Sequence, residues 1–395
     1  MDFAFSDPDR AFAAEARAWL EANVPPAWRR DHMWTRAEDP LWLEIARAWQ
    51  AKLFAGGWAA IAWPREHGGR GASAIERWLF DAELDRVGAP RPPTASYADL
   101  IGPAILHHGT PAQRDRFLRP MLSGDELWCQ GFSEPGAGSD LGALRTRAER
   151  RGDAFVVNGQ KVWTSHGDIA DWCFLLCRTE PDAPKHKGIS LLLVDMRTPG
   201  ISVRPLRQMT GDAEFCEVFF EDVVVPADRL VGAPGAGWQI AMGILTHERG
   251  PVWTFTFQRK IRRSFEQLVG IARAHPGTRN ALTDPVVRQR LAQAYVEVEL
   301  LRLTGYRSLT RLLRSGQPGV ESSIEKVLGS ETDQRLMDVA ADIFGPYAAL
   351  AEGAHAIAGG TFARQYLYGR SETIMGGTSE IQRNVIAQRI LGLPR

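Results

Sequence analysis

The residues that could do chemistry are concentrated in a glycine-rich run from Ser133 to Asp140, with the sequence Ser-Glu-Pro-Gly-Ala-Gly-Ser-Asp. Glycine lets the backbone approach a ligand closely, and the exposed N–H groups of such turns suit anionic or polar acceptors. A second segment, Trp163-Thr164-Ser165, places an aromatic plane beside two hydroxyl groups. Taken alone, each has a simpler interpretation, a connecting loop for the run and a packing residue for Trp163. Alone, they therefore predict no more than a site for a polar ligand.

Motifs of the common catalytic classes are absent from the sequence. It has no Gly-x-Gly-x-x-Gly between a strand and a helix, no P-loop and no Gly-x-Ser-x-Gly. No His-Glu-x-x-His occurs among the nine histidines, and the four cysteines contain no Cys-x-x-Cys pair. We expect the cysteines to fill the core, and we expect no metal site.

The charge balance argues against whole classes of partner. The 47 lysines and arginines equal the 47 aspartates and glutamates, so no net field attracts nucleic acid or an anionic membrane. No stretch approaches the roughly twenty apolar residues of a membrane span, and the N-terminus lacks a signal-peptide pattern. We therefore expect a cytoplasmic protein.

Hydrophobic periodicity divides the chain into helical, strand-rich and helical blocks. Ser6 precedes the first helical pattern as a capping residue. Short strand patterns begin near Trp128, and Asn158-Gly159 among them predicts a hairpin turn. The spacing of Ser379 and Gln382 predicts a capping box at the last helix. We predict an N-terminal helical domain over residues 1–126, a middle β domain over 127–238 and a C-terminal helical domain over 239–395.

Three segments in matching order resemble the acyl-CoA dehydrogenase family. They are Phe132-Ser133-Glu134-Pro135 with Gly138-Ser139-Asp140, Asn158-Gly159-Gln160-Lys161-Val162-Trp163, and Gly377-Thr378-Ser379-Glu380-Ile381-Gln382-Arg383-Asn384. The similarity runs from about Phe12 to Arg395. It implies an α+β fold with an N-terminal helical domain, a middle β-barrel-like domain and a C-terminal four-helix bundle. It also implies FAD-dependent α,β-dehydrogenation of an acyl-CoA thioester.

The resemblance further implies which residues contact the two ligands. FAD is expected to contact Gln130, Phe132, Ser133, Gly138, Ser139, Trp163, Ser165, Thr378 and Glu380. The acyl-CoA is expected to contact Ser139, Thr246, Arg249, Gly376 and Gly377. In these roles Trp163 flanks the flavin ring, Ser165 reaches its N5 region, and the N–H of Gly376 donates to the thioester carbonyl.

The catalytic base is where this sequence differs from many relatives, which carry a Glu directly before the late Gly-Thr. Gly376 occupies that position here and cannot act as a base. The isovaleryl and long-chain branches instead place Glu before Arg on an earlier helix, and Glu248-Arg249 matches that placement. A desolvated Glu248 would have a raised pKa suited to removing the α-proton. The simpler alternative is that Glu248 only pairs with Arg249, and His247 is the second candidate base.

Two family segments that usually touch the flavin of a neighbouring subunit are altered. The Arg-x-x-Phe-Gly region has no Phe-Gly within Gln258 to Phe265, and the Gln-x-x-Gly-Gly region is Asp342 to Pro346. Thr246 replaces an Asp that many relatives use near the pantetheine. This pattern resembles the bacterial subgroup that acts on bulky, branched, dicarboxylic or sterol-derived CoA esters, some members of which are heteromers of two related chains.

Three functional hypotheses follow. The first is a dehydrogenase that passes electrons to an electron-transfer flavoprotein, as a homodimer, a homotetramer or a heterotetramer with a related chain. The second is an acyl-CoA or nitroalkane oxidase on the same fold, which would produce hydrogen peroxide. The third is a non-catalytic subunit that completes the flavin site of another chain and carries no flavin itself.

Overall fold

The computed structural model describes residues 5–29, 39–90, 93–247, 256–274, 281–316 and 319–394. The predicted base Glu248 and its neighbour Arg249 lie outside these residues. The chain divides into two compact units. The helical unit comprises Met1–Met33, Ala74–Ala89 and Glu248–Arg395, and the sheet unit comprises Trp34–Ser73 and Pro90–His247. The boundaries of the three sequence domains stay a prediction.

Long amphipathic helices build the helical unit. Its helices are α1 (Asp7–Asn23), α3 (Ala74–Val87), α7 (Gln258–Ala274), α8 (Pro285–Ser315), α9 (Ser322–Phe344), α10 (Thr361–Glu372) and α11 (Ser379–Val385). Helix α1 begins after Ser6 as predicted, because the Ser6 hydroxyl accepts from the N–H of Asp9 and the Asp9 carboxylate accepts from the N–H of Ser6. Helix α7 buries one face through Ile261, Leu268 and Ala272, and this face joins the apolar core that α8 and α9 also line.

One sheet and four helices form the sheet unit. The helices are α2 (Trp42–Ala55), α4 (Pro93–His108), α5 (Pro111–Ser123) and α6 (Gly237–His247). The strands are β1 (Trp128–Gly131), β2 (Arg147–Arg151), β3 (Ala154–Ser165), β4 (Trp172–Arg178), β5 (Ile189–Asp195), β6 (Ile201–Leu206), β7 (Phe215–Pro226) and β8 (Leu230–Val231). Their order is β6-β7-β3-β2-β4-β5-β8, and β1 lies parallel to β4.

The central strands β4 and β5 are buried along nearly their whole length. One apolar cluster packs on each face of the sheet, and the cluster on one side includes all four cysteines. The cysteines are free and buried, in agreement with the predicted core-filling role. Within the described ranges, no helix is long and apolar enough to cross a bilayer. The same ranges contain no group of three side chains placed to hold a metal ion.

The hairpin predicted at Asn158-Gly159 is wrong. Both residues lie inside β3, which continues for twelve residues, and the tight turn between β2 and β3 is formed by Gly152 and Asp153. Asn158 instead bonds to Asp222 on β7 through its side-chain amide at 2.9 Å. Pairing along β7 therefore overrides the local turn preference, and the Asn-Gly pair coincides with a shift in the β3–β7 register.

Candidate functional site

The glycine-rich run leaves β1 and immediately forms a tight turn. The backbones of Glu134 and Ala137 bond to each other in both directions, at 3.2 and 3.0 Å, around Pro135 and Gly136. Proline preorganises the first central position of such a turn. A side chain added at Gly136 or Gly138 would meet no atom within 4 Å. The outer side of the run therefore presents backbone to open space, as a loop that receives a ligand must.

Glu134 holds the inner side of this run in place. Its carboxylate accepts hydrogen bonds from the backbone N–H groups of Arg145 (2.7 Å) and Thr146 (2.8 Å) and from the ammonium of Lys161 (2.9 Å). Lys161 is fully buried and also donates to the carbonyl of Phe132 at 2.9 Å. Burial lowers the pKa of Lys161, and Glu134 opposes that effect. Burial also acts to raise the pKa of Glu134, but Lys161 and Thr146 outweigh it and leave that pKa lowered.

This ion pair joins two of the segments that carry the family resemblance. Sequence reasoning missed it, although the charges in the two segments have opposite sign: the first contains Glu134 and Asp140, and the second contains Lys161. The backbone adds a further link, because the N–H of Val162 donates to the carbonyl of Ser133 at 2.9 Å. The glycine-rich run and β3 are thus one rigid structure.

Trp163 is held in an unusual position at the end of this structure. Its φ is +60°, its side chain is 61% exposed, and it lies where the register between β3 and β7 shifts. A left-handed backbone is costly for a bulky residue, and such strain is concentrated at functional sites. Phe215 supports the indole edge-on, with ring centroids 6.1 Å apart at 90°. The result is a flat aromatic surface facing solvent beside the glycine-rich run.

The residues after Trp163 fix the backbone that carries the indole. The carbonyl of Ser165 accepts a hydrogen bond of 2.8 Å from the hydroxyl of Tyr97, and burial raises the pKa of that phenol well above its usual value. The hydroxyl of Thr164 is buried and has no partner among the described residues. The Ser165 side chain, which the resemblance assigns to FAD, is half-buried.

The other predicted FAD residues of the sheet unit differ in what they can offer. Phe132 packs its ring edge-on against Phe174 in the core, at 5.7 Å, so only its backbone is available to a ligand. Gln130 lies on β1 opposite Phe174 and is half-buried, whereas Gly138 and Ser139 are exposed. An exposed indole plane beside free backbone donors suits a flat aromatic group with a polar edge, and the isoalloxazine ring is such a group.

Predicted residues of the helical unit cluster in the turn between α10 and α11. Gly376 and Gly377 both have positive φ, +64° and +89°, and the side chain of Gln382 donates to both of their carbonyls. The N–H of Gly376 has no partner among the described residues, so it is available to a ligand, and its bond to the thioester stays a prediction. The capping box predicted at Ser379 is wrong: Thr378 caps α11, and its hydroxyl accepts from the N–H of Ile381 at 3.2 Å.

The remaining two predicted residues that the structure describes are exposed. Glu380 lies in the first turn of α11, where hydrogen bonds from its own N–H and from Thr378 lower its pKa. Thr246 lies near the end of α6, and its hydroxyl donates to the carbonyl of Met242 at 2.7 Å within the same helix. The bond is local, so rotation about χ1 would free the hydroxyl for a ligand.

A buried charge cluster next to the glycine turn was also missed. Lys260 on α7 contacts Glu372 on α10 at 2.6 Å and Asp333 on α9 at 3.3 Å, and both carboxylates are at most 1% exposed. Burial acts to lower the pKa of Lys260, but the two carboxylates outweigh it and raise that pKa. Burial, together with Asp333, raises the pKa of Glu372 to about 8 against the opposing effect of Lys260. No sequence pattern marks a contact among three separate helices.

Family models place the chain unambiguously. It matches the acyl-CoA dehydrogenase N-terminal domain over residues 6–125, the middle domain over 129–223 and the C-terminal domain over 235–391. The family models and the similar proteins show that the chain is an FAD-dependent oxidoreductase that acts on acyl-CoA. The chain belongs to the acyl-CoA dehydrogenase family, its cofactor is FAD, and the predicted fold class is confirmed.

Individual relatives are similar along their whole length. Acyl-CoA dehydrogenase IpdE1 of Mycobacterium tuberculosis is 41% identical over 386 residues, which are 97% of each chain. The structure of the Tcur3481-Tcur3483 steroid ACAD superposes with a TM-score of 0.87 at 31% identity over 100% of both chains. The ChsE4-ChsE5 complex of M. tuberculosis superposes with a TM-score of 0.82 at 32% identity, again over 100% of both chains.

Proposed function

We propose that this enzyme converts a bulky, steroid-derived acyl-CoA to its trans-2-enoyl-CoA, with Glu248 as the base that removes the α-proton. The observation that carries the flavin site is the exposed, strained Trp163 beside the open backbone of the glycine-rich run. The substrate class rests on the similarity to the steroid ACAD and on the subgroup pattern of the sequence. Electron-transfer flavoprotein is the proposed acceptor, and a cytoplasmic location stays a prediction.

Each residue has a distinct task in this proposal. FAD supplies a hydride acceptor for the β-hydrogen. Trp163 would cover one face of the ring, Ser133 would donate a hydrogen bond near its pyrimidine edge, and Ser165 would reach its N5 region. The N–H of Gly376 donates to the thioester carbonyl, and this favours the negative charge that develops there as the α-proton leaves. The carboxylate of Glu248 accepts that proton.

The test of substrate class is anaerobic flavin bleaching with a panel of acyl-CoA esters. The panel includes short, long, branched, aromatic, dicarboxylic and steroid-derived chains. We expect the fastest bleaching with the steroid-derived ester. An acyl pocket that fits a fused ring system would not have to rearrange to bind it, so more of the binding energy would stabilise the transition state. Faster bleaching with a straight acyl chain of about four to sixteen carbons would contradict the proposed substrate class.

The test of the base compares two adjacent substitutions. Glu248→Gln is expected to abolish substrate-driven bleaching while FAD stays bound, because the amide keeps the shape of the side chain but cannot accept the proton. His247→Gln is the matched control and is expected to bleach at close to the wild-type rate. Bleaching by Glu248→Gln at the wild-type rate would show that the base is elsewhere.

We also propose that the enzyme works as a heteromer with a related chain. Two of the similar structures are complexes of two named chains, and the segments that usually touch a neighbour's flavin are altered in this sequence. When this chain is co-expressed with a related partner chain, light scattering should give the mass of a mixed oligomer.

Two other results would support the alternative functions. Absence of flavin absorbance from this chain in every complex would support the non-catalytic subunit. Peroxide formation without an added acceptor would support the oxidase.

A further inference from the structure

A buried cation acts on the peptide bond that carries the Ser133 donor. The ammonium of Lys161 lies 2.9 Å from the carbonyl oxygen of Phe132, and Lys161 is fully buried. The C=O of Phe132 and the N–H of Ser133 belong to one planar amide, in which the two groups point in opposite directions. Because the carbonyl points at Lys161 in the core, the N–H of Ser133 points away from it, toward the open side of the run.

The N–H of Ser133 is available for a ligand. It has no hydrogen-bond partner within the part of the chain that the structure describes, whereas the carbonyl of Ser133 is occupied by the N–H of Val162. The residue itself is half-buried. A donor that the surrounding bonds hold in place and that has no protein partner is available to a ligand or, without one, to water.

Stability alone does not explain why position 161 carries a charge. Replacing a buried ion pair with apolar residues of similar volume is often neutral or even stabilising, by about 1–4 kcal/mol. Here the Glu134 carboxylate already accepts two backbone N–H groups, so it does not need a cation to satisfy its oxygens. Besides balancing the charge of Glu134, a cation at this position supplies a field along the Phe132–Ser133 amide.

We propose that Lys161 is a positioning residue whose charge, transmitted through the Phe132–Ser133 amide, strengthens the Ser133 N–H as a donor to the flavin and raises the flavin's reduction potential. Hydrogen bonds in a chain polarise one another, and a bond with a charged member is stronger than a neutral one. Reduction adds negative charge to the flavin, so a stronger donor stabilises the reduced form more than the oxidised form. This inference rests on the proposed flavin site.

The test replaces the charge without emptying the core. Lys161→Met with Glu134→Gln removes both charges at similar volume, and Lys161→Gln with Glu134→Gln removes both while keeping a neutral donor at position 161. We expect both variants to bind FAD about tenfold more weakly, the equivalent of one strengthened hydrogen bond. We also expect the flavin reduction potential, measured by equilibration with a redox dye, to become more negative. Lys185→Met is the control, because Lys185 forms an exposed ion pair with Asp140 on the same run.

The reduction potential separates this proposal from a merely structural role. A loosened site weakens oxidised and reduced flavin alike, so it lowers the affinity but leaves the potential unchanged. Two variants are used so that poor folding of one leaves the other, and folding is checked by circular dichroism. A wild-type potential in either folded variant overturns the proposal. Failure of the wild-type protein to bind FAD in any complex would instead overturn the proposed flavin site itself.

Discussion

Glu372 should make the stability of the helical unit fall as the pH rises through the neutral range. Its pKa is raised from 4.5 to about 8, chiefly because the carboxyl is buried. Between these two values the folded state holds one more proton than the unfolded state. The contribution of Glu372 to the unfolding free energy is therefore fully present below about pH 4.5. It is lost as the pH rises through 8, at up to about 1.4 kcal/mol per pH unit. Allowing for partial titration near pH 8, the loss from pH 6 to pH 8 is about 2 kcal/mol.

Glu372→Gln isolates this effect, because glutamine mimics the protonated carboxyl. Its carbonyl can still accept from Lys260, and its amide can donate to Asp333, so the fold is expected to persist. The charged and titratable groups that act on Glu372 are Lys260 and Asp333, with Tyr368 also close to Lys260.

The assay is urea unfolding followed by far-ultraviolet circular dichroism at pH 6 and pH 8. The decrease in unfolding free energy between these values should be about 2 kcal/mol larger for the wild type than for Glu372→Gln. Glu352→Gln, at an exposed position, should behave like the wild type. An equal decrease in the wild type and Glu372→Gln would refute the reasoning.

Other predictions concern the sheet unit. Trp163→Ala should leave the unfolding midpoint nearly unchanged, because the indole is mostly exposed. It should weaken FAD binding about tenfold, because contact with the flavin ring is lost. An unchanged FAD affinity would show that the indole does not contact the flavin. Gly138→Ala should fold normally, because the new methyl group meets no atom within 4 Å, so any loss of FAD affinity by fluorescence titration reports close approach of the ligand. Gly131→Ala should instead lower the thermal stability by about 1–3 kcal/mol, because its methyl would lie 2.8 Å from the sulfur of Cys173; a wild-type melting temperature would contradict this.

The sequence was informative about the fold where local signals and long-range pairing agree. Ser6 caps α1 as predicted, and the strand-rich block begins at Trp128 as predicted. Asn158-Gly159 shows the opposite case, because its local turn preference is overridden by pairing with β7. The last helix is intermediate: its position was predicted closely, but the cap is Thr378, one residue before the predicted Ser379.

The candidate site was only partly predictable for a related reason. The motifs identified Ser133 and Trp163, yet the exposure of the indole depends on a register shift against β7 that no local pattern encodes. The Glu134–Lys161 pair joins residues 27 positions apart, and the contacts of Lys260 come from helices much further along the chain. Such contacts are determined by how the elements pack, and sequence spacing alone does not specify them.

The ion pair between Glu134 and Lys161 has a consequence for how motifs in such chains are interpreted. Glu134 ties together the turn, the residues before β2 and Lys161 on β3, and these contacts hold the run in shape whether or not a flavin is bound. The presence of Glu134 therefore indicates that the fold is kept, and it says little about flavin binding. Trp163, by contrast, is strained and exposed, and selection for stability alone would replace it. In related sequences, a tryptophan at the position of Trp163 should therefore predict flavin binding better than the Ser-Glu-Pro run does.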